Sequence, residues 1–224
     1  MPEPLFLSAR RPVTLVFGGH GRLSRLLCER LAEAGFVVAV ADRSPHRAAL
    51  LSRDVSGRHH VALPYAVDPD DGGSVDRLVA EVVLDLGRID AVVGLAPEGL
   101  DAGTGDDPGP WARSLGVTLA VAHRLATAAA RHMLAVPTPG RIVLLAPGGG
   151  TPPHPAERAA SAALGALVRD WAAAWPADRV SVNAVVPGEN SPRGAIVSAV
   201  ALLASPRAQG ISGHVVMVRG RGAE

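Results

Sequence analysis

The run from Val13 to Ser44, VTLVFGGHGRLSRLLCERLAEAGFVVAVADRS, constrains the rest of the chain more than any other stretch. Thr14 to Phe17 is a short apolar run of β type, and Gly18, Gly19 and Gly21 follow at once. Leu23, Leu26, Leu27 and Leu31 then recur at helical spacing, and a second apolar run, Phe36 to Ala41, ends at Asp42. Strand, glycine turn, helix, strand, acid is the order of a dinucleotide-binding βαβ unit. The glycines let the backbone pass close to a pyrophosphate held at a helix N-terminus, and an acid about 20 residues on accepts the ribose hydroxyls. One position departs from that pattern: Ser24 stands where the last glycine is expected.

The remaining chain repeats the alternation. A helical segment from about Pro45 to Ser52 leads to a third strand, Val61 to Ala66, with Asp68 just past its end. Ser74 reads as the cap of a helix carrying Val75, Leu78, Val79, Val82 and Val83, which Gly87 ends before a fourth strand, Ala91 to Leu95. After the loop-like stretch Pro97 to Pro110, Trp111 opens a long helix with Leu115, Leu119, Ala122 and Leu125 on one face. Ile142 to Leu145 is a fifth strand, followed by the loop PGGGTPPHP and an alanine-rich helix, about Ala156 to Ala174. Val180 to Val186 is a sixth strand, Ser191 and Pro192 start a helix over Ala195 to Ala204, and His214 to Val218 is the last strand. Strand runs this uniformly apolar predict a parallel sheet covered by helices on both faces, an α/β fold of the doubly wound Rossmann type. No linker divides the chain, so a single domain over residues 1–224 is expected.

Charge excludes several partners. A net charge of +1, with arginines and acids interspersed, leaves no footprint for nucleic acid or an anionic membrane. No apolar run approaches the roughly 18 residues of a membrane span, and a cytoplasmic protein is expected. Cys28 is the single cysteine, which excludes an internal disulfide or a cysteine metal cluster and reads as a buried small side chain. His59 and His60 lack the spacing of a metal site, and no metal is expected. There is no lysine, and Tyr65 is the single tyrosine, so a mechanism needing a lysine amine, or a tyrosine elsewhere, is excluded in this chain.

In this order and spacing the segments FGGHGRLS, ADRS, VDPDD, GRIDAVVGLAP, GRIVLLAP, RVSVNAVVPG and ISGHVVMV resemble the short-chain dehydrogenase/reductase family over nearly the whole chain. The resemblance implies a seven-stranded parallel sheet with helices on both sides. It also implies NAD or NADP as cofactor, with Gly18, Gly21, Arg22 and Leu23 around the pyrophosphate, Asp42 at the ribose or Arg43 at a 2′-phosphate, and Asp68 at the adenine. Ala96, Pro187 and Gly188 fall on the nicotinamide side. His20, within the turn, is a candidate phosphate contact or a plain surface residue.

The same comparison places departures on the chemistry. The family's proton transfer rests on a tyrosine and a lysine one helical turn apart, where the ammonium lowers the pKa of the phenol. Those positions are Glu157 and Ser161 here. The supporting serine falls on Pro147, and the asparagine of the long helix on Thr118. The family's Asn-Asn-Ala-Gly run has become Gly94, Leu95, Ala96 and Pro97, and the segment after Gly188 is too short for a substrate-covering loop.

Glu157 admits two readings: a proton donor, if burial keeps its carboxyl neutral and His154 pairs with it, or an acid that stabilises a helix N-terminus. The resemblance therefore leads to a catalytically impaired member of the family, a structural or regulatory subunit that pairs with itself or with an active homologue. The alternative is an enzyme with altered chemistry. That would be a nicotinamide-dependent oxidoreductase using Glu157, Thr118 or the substrate itself, or a cofactor-free lyase, isomerase or cyclase.

Overall fold

The computed structural model describes residues 11–18, 21–57, 59–96, 108–148 and 155–220. Seven strands, β1 (Val13–Phe17), β2 (Val37–Asp42), β3 (Val61–Ala66), β4 (Ala91–Leu95), β5 (Gly140–Leu145), β6 (Val180–Pro187) and β7 (Val215–Val218), form one sheet in the order β3-β2-β1-β4-β5-β6-β7. Every pairing in it is parallel. Between them run α1 (Gly21–Glu33), α2 (Pro45–Val55), α3 (Ser74–Leu86), α4 (Pro108–Ala135), α5 (Pro155–Ala174) and α6 (Arg193–Ala204).

The continuous apolar runs have a direct cause. Successive side chains of a strand point to opposite faces, and here both faces are covered. Val13, Leu15 and Phe17 of β1 face a core built with α3, α4 and α5, whereas Val16 faces a second core built with α1, α2 and α6. The edge strands escape this rule. On β3, Pro64 is exposed, as expected for a residue that cannot donate to a ladder; on β7, Val215 and Met217 are exposed.

Several boundaries differ from the sequence expectation. β2 starts at Val37 because Phe36 is used to close the turn, its N–H donating to the Leu31 carbonyl while its ring is buried. α2 runs three residues further, to Val55, which is buried on the same face as Ala48 and Leu51. α4 begins at Pro108 rather than Trp111. Ser74 is the first residue of α3 and not its cap; Gly73 holds the cap position, and the Ser74 hydroxyl accepts the N–H of Asp68 across the loop. Gly87 does end α3, in the left-handed region at φ 77°.

At the far end of α4, His132 Nε2 is buried with no hydrogen-bond partner among the described residues, and burial lowers the pKa of the ring. Below a pH of about 6.5 the unfolded chain therefore takes up a proton that the native ring resists. Stability is expected to hold above that pH and to fall as the pH drops below it, and His132→Leu should flatten the acid limb. Urea unfolding of both proteins between pH 7 and pH 5 checks this; parallel curves would overturn it.

Candidate functional site

The sheet order reverses between β1 and β4, and the crevice beyond their C-terminal ends is where an open α/β sheet takes a ligand. Gly18 ends β1 at φ +92°, and a Cβ there would stand 3.0 Å from the carbonyl oxygen of Leu95. Gly21, also at φ +92°, is the first residue of α1. These two conformations, which favour glycine, turn the chain into α1 so that Gly21, Arg22 and Leu23 present the helix N-terminus to the crevice. Ser24, in the place of the last glycine, is buried, and its hydroxyl donates to the Gly18 carbonyl at 3.1 Å. The substitution keeps the small volume that helix-on-strand packing requires and ties the turn shut. Gly19 and His20 lie outside the described residues.

On one side of the turn stands the end of β2. Asp42 is 3% exposed, and its Oδ1 accepts the N–H of Ser44 at 2.7 Å and the Nε–H of Arg47 at 3.1 Å, with Arg47 Nη2 ion-paired to the same oxygen at 3.0 Å. Arg47 was not among the residues that the sequence pattern singled out. The signal was its place just inside a helix capped by Ser44, whose first turn faces back to the strand end. Arg43 reaches the loop after β3, where it pairs with Asp70 at 2.5 Å and with Asp68 at 3.6 Å. Asp68 Oδ1 also accepts the N–H of Asp70. Arg124 of α4 braces this loop by donating to the Pro69 carbonyl.

On the other side lie the positions expected to carry catalysis. A small apolar cleft opens beside the ends of β1, β4 and β5, with Phe17, Leu95, Ala96 and Leu164 in its wall and Thr118 of α4 as the one hydroxyl-bearing side chain among the described residues that line it. Thr118 is buried. The Ser161 hydroxyl donates to the Pro147 carbonyl at 3.0 Å, so these two positions close on each other. Glu157 sits in the first turn of α5, with Oε2 buried and lacking a hydrogen-bond partner among the described residues. The loop with His154, its proposed partner, lies outside the described residues, as does most of Pro97 to Pro110.

Pro187 and Gly188 end β6 beside β7: the Gly188 N–H donates to the Val218 carbonyl, and a Cβ on Gly188 would meet that oxygen at 3.0 Å. The short link to α6 is closed by Ser191, whose hydroxyl reaches the carbonyls of Gly188 and Val218 at 2.8 and 2.6 Å. Gly148, just after β5, is held at φ +155°, and a Cβ there would fall 2.6 Å from the Pro187 carbonyl oxygen. Gly148→Ala is expected to destabilise by about 1–3 kcal/mol, because strained backbone and a backbone oxygen leave no way to yield. Chemical denaturation checks this; an unchanged midpoint would refute it.

Other reactive groups stand away from the crevice. Tyr65 is 5% exposed on β3, its hydroxyl donates to Asp85, and burial first, then that carboxylate, raise the pKa of the phenol. Cys28 is fully buried, which pushes its thiol up to about 12, so it is an inert core residue. Among the described residues no group of three or more His, Cys, Asp or Glu is placed to hold a metal, and no helix is long and apolar enough to cross a membrane.

A family model described as short chain dehydrogenase matches residues 12–194. A short chain dehydrogenase of Pseudocercospora fijiensis is 28% identical over 95 residues, which is 42% of this chain and 31% of that protein; the match thus spans about a third of the fungal relative. Among solved structures, a short chain dehydrogenase from Mycobacterium smegmatis superposes with a TM-score of 0.80 at 23% identity, covering 97% of this chain and 95% of that one. A short-chain type dehydrogenase/reductase from Mycobacterium marinum gives 0.83 at 21% identity, over 92% and 93%. At these identities the two structures speak for the fold.

Proposed function

The chain belongs to the short-chain dehydrogenase family, and from that premise we propose that it is a catalytically impaired member acting as a structural or regulatory subunit, paired with itself or with an active homologue. The observation that carries this reading is the Ser161 hydroxyl bound to the Pro147 carbonyl. The place of an ammonium and the place of a serine hydroxyl are spent on a backbone contact, and neither Glu157 nor Thr118 replaces a phenol backed by a lysine.

A nicotinamide dinucleotide, where bound, supplies hydride. The residues here fit its pyrophosphate end: the Gly18 and Gly21 conformations and the start of α1 form the cradle, which a Cβ on Gly18 would crowd against Leu95. Arg22 and Leu23 belong to that first turn, and Ala96, Pro187 and Gly188 would border the nicotinamide end. We read residues 1–224 as one domain, cytoplasmic, with a protein partner rather than nucleic acid. The long helices α4 and α5 pack side by side and leave Trp111 and Val117 at the surface, which supports assembly through this face.

One observation favours the altered-chemistry alternative: the buried Oε2 of Glu157, which has no hydrogen-bond partner among the described residues. Two measurements test the proposal. Native mass spectrometry of the protein purified gently from its own cells is expected to show a complex with a homologous chain or a homo-oligomer, and a monomer alone would refute the subunit role. Turnover of any carbonyl substrate at rates ordinary for enzymes would refute the impairment.

A further inference from the structure

Opposite the crevice, the N-terminal ends of the strands carry a polar row on one face of an otherwise apolar sheet. Strand register places Thr14 of β1 beside Ala91 of β4, Ala91 beside Arg141 of β5, and Arg141 beside Ser181 of β6. Val16, Val143 and Val185 stand an even number of residues further along their strands, in the core under α1, α2 and α6. Alternation therefore turns the whole row to that face. Arg141 is 9% exposed, Ser181 6% and Thr14 0%. Thr14 Oγ1 is buried without a hydrogen-bond partner among the described residues, and among them the Arg141 guanidinium and the Ser181 hydroxyl make no hydrogen bond or ion pair either. Asp90, whose carbonyl accepts the Arg141 backbone N–H, gives both carboxylate oxygens to Arg88 and one of them also to the Val13 N–H. The base of the sheet thus holds one positive charge in excess, on a side chain whose donor fork has no acceptor among these residues. Burying a polar group without a partner is costly, and burying a charge more so.

We propose that Arg141, with the hydroxyls of Ser181 and Thr14, binds a small monovalent anion of the halide class at the base of the sheet, beneath α6. This site is separate from the glycine turn and owes nothing to the subunit reading. Helix α6 packs over β4, β5 and β6, so an ion held there is shielded from bulk water. One excess charge matches one monovalent ion, whereas a sulfate or phosphate dianion would bring in a charge without a counterpart. Geometry favours a sphere over a planar carboxylate. Adjacent strands lie about 4.8 Å apart, so Thr14 and Arg141 are separated by about 10 Å, with the methyl group of Ala91 between them in the row. A halide accepts N–H and O–H donors from any direction, which suits donors that arrive from three strands.

The test is thermal unfolding of the full chain in sodium chloride against sodium gluconate at one ionic strength, with the chlorine NMR line width as the direct measure of bound chloride. For a Kd of about 10 mM, the Tm of the wild type in about 300 mM chloride is expected to stand about 4–8 °C above that in gluconate. The chloride line should broaden with added protein and sharpen again when bromide competes. Arg141→Met, apolar and of similar length, is expected to lose both effects and to be no less stable than the wild type in gluconate, where the charge of the arginine is unbalanced. Ser181→Ala and Thr14→Val keep that charge and should each weaken chloride about three- to tenfold. Circular dichroism verifies folding, and if Arg141→Met does not fold, the two hydroxyl variants decide. Equal Tm values in the two salts without broadening, or broadening that Arg141→Met leaves unchanged, overturn the site, and water then serves these donors. Chloride binding that neither hydroxyl variant weakens overturns it as well.

Discussion

Replacing Asp90 by alanine is expected to cost the fold about 3–5 kcal/mol, the range for removing one partner from a buried charge cluster. Asp90 stands immediately before β4 and is 6% exposed. Its Oδ2 accepts the N–H of Val13 at 2.8 Å and Nε of Arg88 at 2.9 Å, while Oδ1 accepts Nη2 of Arg88 at 2.5 Å. Its backbone completes the bridge: the N–H donates to Val13 and the carbonyl accepts from Arg141. One residue thus joins β1, β4 and β5 at the base of the sheet, opposite the crevice, its carboxylate tying β1 and its backbone carbonyl β5. Buried Arg141 adds to the loss, because burial lowers its pKa and Asp90 is the charge that opposes this.

Alanine at position 90 leaves the Val13 N–H unsatisfied and the Arg141 charge uncompensated, and a buried orphan costs more than the bond was worth. Thermal unfolding should drop by about 6–20 °C at the usual 2–4 °C per kcal/mol for a chain of this size. Arg88→Ala removes only the partly exposed partner and is expected to cost about 1 kcal/mol or less. A loss below about 1 kcal/mol for Asp90→Ala would show that water replaces the carboxylate and that the bridge does not hold the sheet.

The strands were legible in the sequence because both faces of the sheet are buried, so each of β1, β4 and β5 reads as an apolar run with no alternation to confuse it. The glycine turn was legible for a different reason. The left-handed conformations at Gly18 and Gly21 are costly for other residues, so the residue type itself marks the backbone. What the sequence left open were side chains whose partners come from elsewhere in the chain. Ser74 satisfies the rule for a helix cap, yet its hydroxyl goes to Asp68 because the loop after β3 folds back over it. Asp42 satisfies the rule for a ribose acid, but the rule is silent on Arg47, which only the packing of α2 against β2 brings to it. Ser161 could be counted into the lysine position, but its bond to Pro147 depends on how α5 meets the end of β5.

The wild-type chain is expected to transfer no measurable hydride, and Glu157→Gln is expected to change nothing in that result. Positioned acid–base groups contribute about 10²–10⁴-fold to such reactions, and this chain has no lysine to lower the pKa of a phenol. Its single phenol, on Tyr65, is on β3 behind β2, hydrogen-bonded to Asp85 and raised in pKa by burial. That is the wrong place and the wrong direction for a proton donor at neutral pH. The assay is NADPH oxidation against a panel of ketones and aldehydes, with a tetrad-bearing family member as the positive control and nucleotide binding measured in parallel, so that silence is not mistaken for an empty site. The Glu157 variant divides the two functional readings. If the buried Oε2 is a proton donor, the wild type turns over and Glu157→Gln loses about 10²–10⁴-fold of that rate with binding intact. If Glu157 serves the start of α5, where an acid stabilises the helix dipole, the glutamine costs about 0.3–1 kcal/mol of stability and no activity. The impaired-subunit reading requires the second outcome.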